Sequence, residues 1–107
     1  MKKQKSTKEK IESESGWVEG TVQDFLQLSD ADMEFIETRL ATSRLLKATR
    51  RARKLTQQVA ASKLGTSQSR FAKMESGDSS VSIDLMFRSL FSLGVSRKEL
   101  LTALQGF

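Results

Sequence analysis

Residues 55–77 read LTQQVAASKLGTSQSRFAKMESG, and the fold turns on how this stretch is divided. Thr56 supplies a side-chain oxygen just before a run of helix-forming residues, so it caps a helix over Gln57 to Leu64. Gly65 follows at the place where a helix commonly ends in a left-handed residue. Thr66 or Ser67 then caps a second helix, which runs through Met74 and stops at Gly77. Ala61 is small where two helices at a tight corner must cross closely. Leu64, Phe71 and Met74 are the apolar residues that would hold such a corner together.

The same punctuation extends to both sides. Upstream, Ser29 precedes Asp30, Ala31 and Asp32, a hydroxyl cap with acids at the positive end of a helix dipole. Met33, Ile36, Leu40 and Phe35 fall at helical spacing behind it. That helix either runs on or breaks near Ala41-Thr42-Ser43, where Leu45 and Leu46 begin a further apolar stripe that ends near Arg53-Lys54. Thr21 caps a short turn through Val22, Phe25 and Leu26. Downstream, Ser82 caps Ile83 to Leu93, with Gly94 behind it. Ser96-Arg97-Lys98-Glu99 is a capping box that opens a last helix through Leu100, Leu101 and Leu104. The expected class is all-α, with short loops and no strand. Phe71, Met74, Leu85, Leu90 and Leu93 are expected in the core.

Residues 1–16 (MKKQKSTKEKIESESG) hold Ile11 as the one apolar residue after Met1. They bury too little surface to offset the entropy of ordering, so a disordered tail is expected there. A charged arm that follows a polyanion is the alternative. Residues 17–41 form an extension of a short turn plus a helix. Its Trp17 reads as an anchor onto the domain or as a partner-binding residue. Residues 42–107 are expected to form the main domain.

Composition limits what this domain can do. The 107 residues suffice for one small core. There is no Cys, His or Tyr, which removes disulfides, thiolate chemistry, the usual general base and the commonest nitrogen metal ligand. No constellation of carboxylates, lysines or hydroxyls replaces them, so neither an enzyme nor a metal or cofactor site is expected. No apolar run approaches the about 18 residues of a membrane span, and the charged N-terminus lacks the apolar stretch of a secretory signal. A cytoplasmic location fits.

The net charge of +5 is unevenly spread. Residues 17–41 carry six acids and a single base, Arg39. Residues 42–74 carry nine bases and no acid: Arg44, Lys47, Arg50, Arg51, Arg53, Lys54, Lys63, Arg70 and Lys73. Such a run repels itself unless a polyanion supplies counter-charge. Duplex nucleic acid does so, with a gain from released counterions. The basic run lacks the broad apolar face of a membrane-surface helix. The bland alternative is a solvated face turned toward the acidic 17–41 segment.

A short turn, a tight crossing and a second helix with polar residues outward are the requirements of a helix-turn-helix. From Leu46 to Leu100 the chain resembles the Cro/cI-type repressors, the XRE family. The resemblance rests on Leu46, Arg50, Leu55-Thr56-Gln57, Ala61, Leu64-Gly65, Ser67-Gln68, Phe71, Lys73-Met74-Glu75 and Gly77, then Leu85, Leu93-Gly94-Val95-Ser96 and Leu100. The sequence departs from the family pattern at Lys54, where Gly is usual, at Ala60, where Leu is usual with Val59 one position earlier, and at Thr49, where an apolar residue is usual.

The resemblance implies a lambda-repressor-like five-helix DNA-binding domain, here with an N-terminal helical extension. It implies that the second helix of the corner enters the major groove, with Gln68, Ser69, Arg70 and Lys73 on base edges. Gln suits adenine N6/N7 and Lys suits guanine O6/N7. It implies phosphate contacts from Gln57, Ser67, Thr56, Arg53 and Lys54, and a structural ion pair between Arg50 and Glu75. Without the surrounding pattern, Gln57 and Gln68 would read as plain solvated helix starts. The partners implied are double-stranded DNA and a second copy in a homodimer, whose interface lies in Leu100–Phe107 or in 17–41. The function implied is a transcriptional regulator that represses. The alternatives are the antitoxin of a toxin–antitoxin pair, with a basic toxin on the acidic extension, and a helical protein-interaction module without DNA binding.

Overall fold

The computed structural model describes residues 11–13, 16–18 and 21–105. They fall into two compact units, residues 1–36 and residues 37–107. Apart from one small ribbon, every element is a helix.

In the first unit, β1 (Ile11–Ser13) pairs antiparallel with β2 (Gly16–Val18), with Ile11 opposite Val18. The sequence reading has no strand here, because three residues are too few to display the alternation that marks one. Most of the tail expected to be disordered, and the Trp17 side chain, lie outside the described residues. Helix α1 (Val22–Phe25) is a single turn capped by Thr21, whose hydroxyl accepts from the Asp24 N–H at 3.1 Å. Gln23 Nε2 donates to the Leu28 carbonyl (3.0 Å) and to Asp30 Oδ1 (2.9 Å). Ser29 and Asp32 cap the next helix reciprocally: each accepts from the other's N–H at 3.0 Å. These bonds hold the Asp32 carboxyl below the usual carboxylate range.

That helix, α2 (Asp30–Ala52), supplies residues 37–52 to the second unit. It does not break at Ala41-Thr42-Ser43. All three are buried. Thr42 Oγ1 donates to the Thr38 carbonyl (2.7 Å) and Ser43 Oγ to the Leu40 carbonyl (2.9 Å). The hydroxyls therefore reach the core without an unsatisfied donor, by returning to their own helix. Thr49 is also buried.

Helix α2 stops with Lys54 in the left-handed region, at φ +57°. The Lys54 N–H bonds the Arg51 carbonyl (2.9 Å) and the Leu55 N–H bonds the Arg50 carbonyl (3.1 Å). This is a helix end that normally takes Gly. A side chain in that conformation costs about 1–2 kcal/mol, and glycine's greater freedom in the unfolded chain offsets part of it. Lys54→Gly is therefore expected to raise stability by about 0.5–1 kcal/mol, read as a shift in the urea midpoint. A lowered midpoint would mean that the Lys54 side chain makes a contact that outweighs its strain.

Helices α3 (Gln57–Leu64), α4 (Gln68–Ser76), α5 (Ile83–Ser92) and α6 (Arg97–Gln105) complete the second unit. With the end of α2 they make the five-helix arrangement. Leu46, Ala60, Phe71, Met74, Met86 and Leu90 are fully enclosed. Leu93, Val95 and Leu100 close the same core, and Leu64 and Leu85 pack against it half-buried. Ala60, not Val59, is the enclosed residue, with Val59 45% exposed. The Ser96–Glu99 capping box forms, with N–H to side-chain oxygen distances of 2.8 and 3.1 Å.

Arg39 is a tie that the sequence reading missed. From α2, its Nη1 donates to the carbonyls of Asp78 (3.2 Å) and Val81 and approaches Met86 Sδ. It thus pins the α4–α5 loop to α2. The only sequence signal is that Arg39 is the single base in an acid-rich stretch.

Candidate nucleic-acid interface

The corner is built by its caps. Thr56 Oγ1 accepts from the Val59 N–H at 3.1 Å and starts α3. Gly65 takes φ +72°, and its N–H and that of Thr66 return to the Ser62 and Ala61 carbonyls. That left-handed step is available to Gly at little cost and turns the chain within two residues. Ser67 Oγ then accepts from the Arg70 N–H at 3.1 Å and starts α4.

Helix α4 has two distinct sides. Phe71, Met74 and Glu75 are buried, whereas Gln68, Ser69, Arg70 and Lys73 are exposed. At about 100° per residue, Ser69 and Lys73 stand one turn apart on the outward face. Gln68 borders that face at its leading end. Arg70 falls about 200° round the helix from Gln68, on the other flank. Ser69 and Lys73 are therefore the centre of the outward face, with Gln68 on one flank and Arg70, about 60° from Lys73, on the other. Ser69 Oγ also lies 3.4 Å from the capping hydroxyl of Ser67.

The inward side is held by charge as well as by packing. Arg50 Nε donates to Glu75 Oε2 at 2.6 Å and Arg50 Nη2 to Oε1 at 3.2 Å. The Glu75 side chain is 3% exposed and that of Arg50 13%. Arg50 Nη1 donates to the Leu55 carbonyl (2.9 Å), and Gln57 Nε2 donates to Glu75 Oε1 (3.0 Å). A single carboxylate therefore joins α2, the start of α3 and the end of α4. The hydrogen bond that Arg50 donates to Glu75 raises the Arg50 pKa above its ordinary value, so the guanidinium stays charged. The end of α4 also lies close to α2: a Cβ on Gly77 (φ +75°) would sit 3.1 Å from Leu40 Cδ2 and 3.4 Å from Ser43 Oγ.

The residues expected on phosphates are more scattered. Thr56 and Ser67 are exposed at the starts of α3 and α4. Gln57 is half-buried and spends an amide hydrogen on Glu75. A phosphate at this helix start would meet backbone N–H groups before the Gln57 amide. Arg53 is exposed and lies along the turn between α5 and α6, with Nη2 3.1 Å from where a Gly94 Cβ would be. Lys54 is exposed at the left-handed end of α2. The Gln57–Glu75 bond was not foreseen, because a Gln at a helix start looks the same in sequence whichever way its amide turns.

Among the described residues, no helix is long and apolar enough to cross a membrane. Residues 42–104 match a protein family described as a helix-turn-helix domain. No curated protein and no solved structure matches the chain.

Proposed function

The chain belongs to the helix-turn-helix domain family, and from that premise we propose that it regulates transcription by binding specific duplex DNA sites as a Cro/cI-type homodimer. Helix α4 is the recognition helix. Gln68, Ser69 and Lys73 read base edges, and Arg70, on the other flank, meets the edge of the groove. Thr56, Ser67, the α3 start at Gln57, Arg53 and Lys54 supply phosphate contacts. One observation carries this reading. The polar face of α4 is exposed while its opposite face is fixed by Glu75 to both Arg50 and Gln57. A reading helix needs that rigidity, since its side chains discriminate only when held in register with the bases.

One such helix covers only a few base pairs. Two copies on half-sites about one turn apart supply the rest of the specificity. Occupying a promoter in this way represses it. The place of work is then the nucleoid, in the cytoplasm. A role as the antitoxin of a toxin–antitoxin pair would use the same DNA-binding surface. It is favoured by Phe25 and Leu26, which are 67% and 57% exposed beside Asp24 in the first unit. A small basic toxin encoded next to this chain separates that role from a stand-alone repressor.

The test is a titration of the full chain against random-sequence duplex by fluorescence anisotropy at several salt concentrations. Log affinity is expected to fall linearly with log salt, by about 0.9 per phosphate contact. Absence of binding at low salt would transfer the basic segment to a protein partner and end the DNA reading.

A further inference from the structure

We propose that the exposed face of α2 carries a second phosphate-binding row, Arg44, Lys47 and Arg51, which grips one strand of the duplex beyond the reach of α4. The proposal rests on the DNA-binding reading above and assigns to it residues outside the helix-turn-helix corner.

Arg44, Lys47 and Arg51 follow at spacings of three and four residues, so they stand on one side of the helix. All three are exposed, as are Ala48 and Ala52 between and beside them. Among the described residues, these five line an open trough of about 560 Å³. Helical spacing sets Ala48 and Ala52 side by side along one flank of the cationic row. The alanines let an extended anionic chain come close to the helix, which longer side chains would prevent. Lys47 and Arg51 have no carboxylate partner among the described residues. Their charge is therefore left for something outside these residues.

Size favours a phosphodiester strand. From Arg44 to Arg51 the helix rises about 10 Å, at about 1.5 Å per residue. A strand of duplex carries one charge per about 3.4 Å of axis, so the row spans about three phosphate intervals, enough to set a phosphate near each cation. An acidic protein segment has no such fixed spacing. The row is also rigidly tied to the recognition helix. Arg50, on the same helix, holds Glu75 of α4, and Leu40 and Ser43 lie against Gly77 at the end of α4. A strand held by α2 thus fixes where α4 lies in the groove, without reading a base itself.

The experiment compares the full-length chain with two double variants, each two charges lower. Lys47→Gln/Arg51→Gln removes the two unpartnered cations of the row. Arg97→Gln/Lys98→Gln removes two exposed cations at the start of α6. Binding to random-sequence duplex is measured over a series of salt concentrations, with thermal unfolding of each protein as the control for folding. The row variant is expected to flatten the log–log salt slope by about two, at about 0.9 per contact, with an equal loss on any sequence. The α6 variant is expected to change the slope by well under one. An unchanged slope in the row variant overturns the proposal, and so does an equal flattening in both variants, which would reflect net charge alone. An unchanged slope together with loss of self-association or of a co-purifying acidic protein would assign the row to protein instead, and overturns it too. If the unmodified chain fails to bind at low salt, the DNA reading itself falls. The row fails separately when the unmodified chain binds and the row variant binds alike.

Discussion

Replacing Glu75 with Gln is expected to cost about 3 kcal/mol of unfolding free energy, at the lower end of the about 3–5 kcal/mol for breaking a buried pair. The carboxylate is nearly enclosed, and Arg50 beside it keeps only 13% of its side-chain surface in contact with water. A Gln there still offers an oxygen to Arg50 or to Gln57, but no opposing charge. The guanidinium is then stranded in a low-dielectric site it cannot leave, because Nη1 is also bonded to the Leu55 carbonyl. A domain of this size has about 5–15 kcal/mol in total, so the loss is easily read in a urea titration. A cost under about 0.5 kcal/mol would mean that the pair is effectively solvated. A second variant separates a stranded charge from a lost contact. Arg50→Met/Glu75→Leu removes both charges, and it should recover most of the stability, since apolar replacements of buried pairs are often neutral or better. Recovery will be incomplete, because the Leu55 carbonyl and the Gln57 amide lose partners with them.

The pair shows where sequence alone sufficed and where it did not. Helix ends were legible because each is written locally. Thr56, Ser67, Ser82 and Ser96 all cap with their own hydroxyls, and Gly65 and Gly77 take the left-handed steps expected of them. These signals need no knowledge of the rest of the chain. Lys54 takes the same kind of step with no glycine to announce it. The backbone there is dictated by the need to turn from α2 into α3, and the side chain tolerates it. The continuity of α2 was illegible for a related reason. Ala41, Thr42 and Ser43 fit a continuous helix or a break equally well until burial is known. Once buried, the hydroxyls gain most by bonding carbonyls of the preceding turn, which leaves the helix intact.

Long-range ties were harder. Arg39 finds backbone carbonyls about forty residues away, and a carbonyl leaves no mark in a sequence. The pairing of Arg50 with Glu75 entered only through the family resemblance. No periodicity links positions 25 residues apart. The outward residues of α4 were legible as polar, but their division was not used: helical spacing alone puts Arg70 on the flank opposite Gln68. The short ribbon at Ile11–Val18 left no pattern to read.

That division leads to the largest expected effect on binding. Gln68→Ala/Lys73→Ala is expected to lower affinity for a selected site by more than about 100-fold, while affinity for random duplex falls only a few-fold. A bidentate contact discriminates by about 1–3 kcal/mol, and two are removed from each recognition helix. Both side chains are exposed, so unfolding of the variant should match that of the unmodified chain. Arg70→Ala provides the contrast. Arg70 stands on the flank opposite Gln68 and is set back from the leading end of α4, where its long side chain reaches toward a phosphate. Its loss should weaken selected and random duplex alike and flatten the salt slope by about one. The measurement is a pair of anisotropy titrations for each variant, one on the selected site and one on random duplex. If the double variant loses both equally, Gln68 and Lys73 serve the backbone, and sequence must be read by Ser69, by Arg70 or through the shape of the DNA. If Arg70→Ala loses preference while Gln68→Ala/Lys73→Ala does not, α4 lies in the groove rolled toward its other flank. The Glu75 bracket would then be setting a different face of the same helix against the bases.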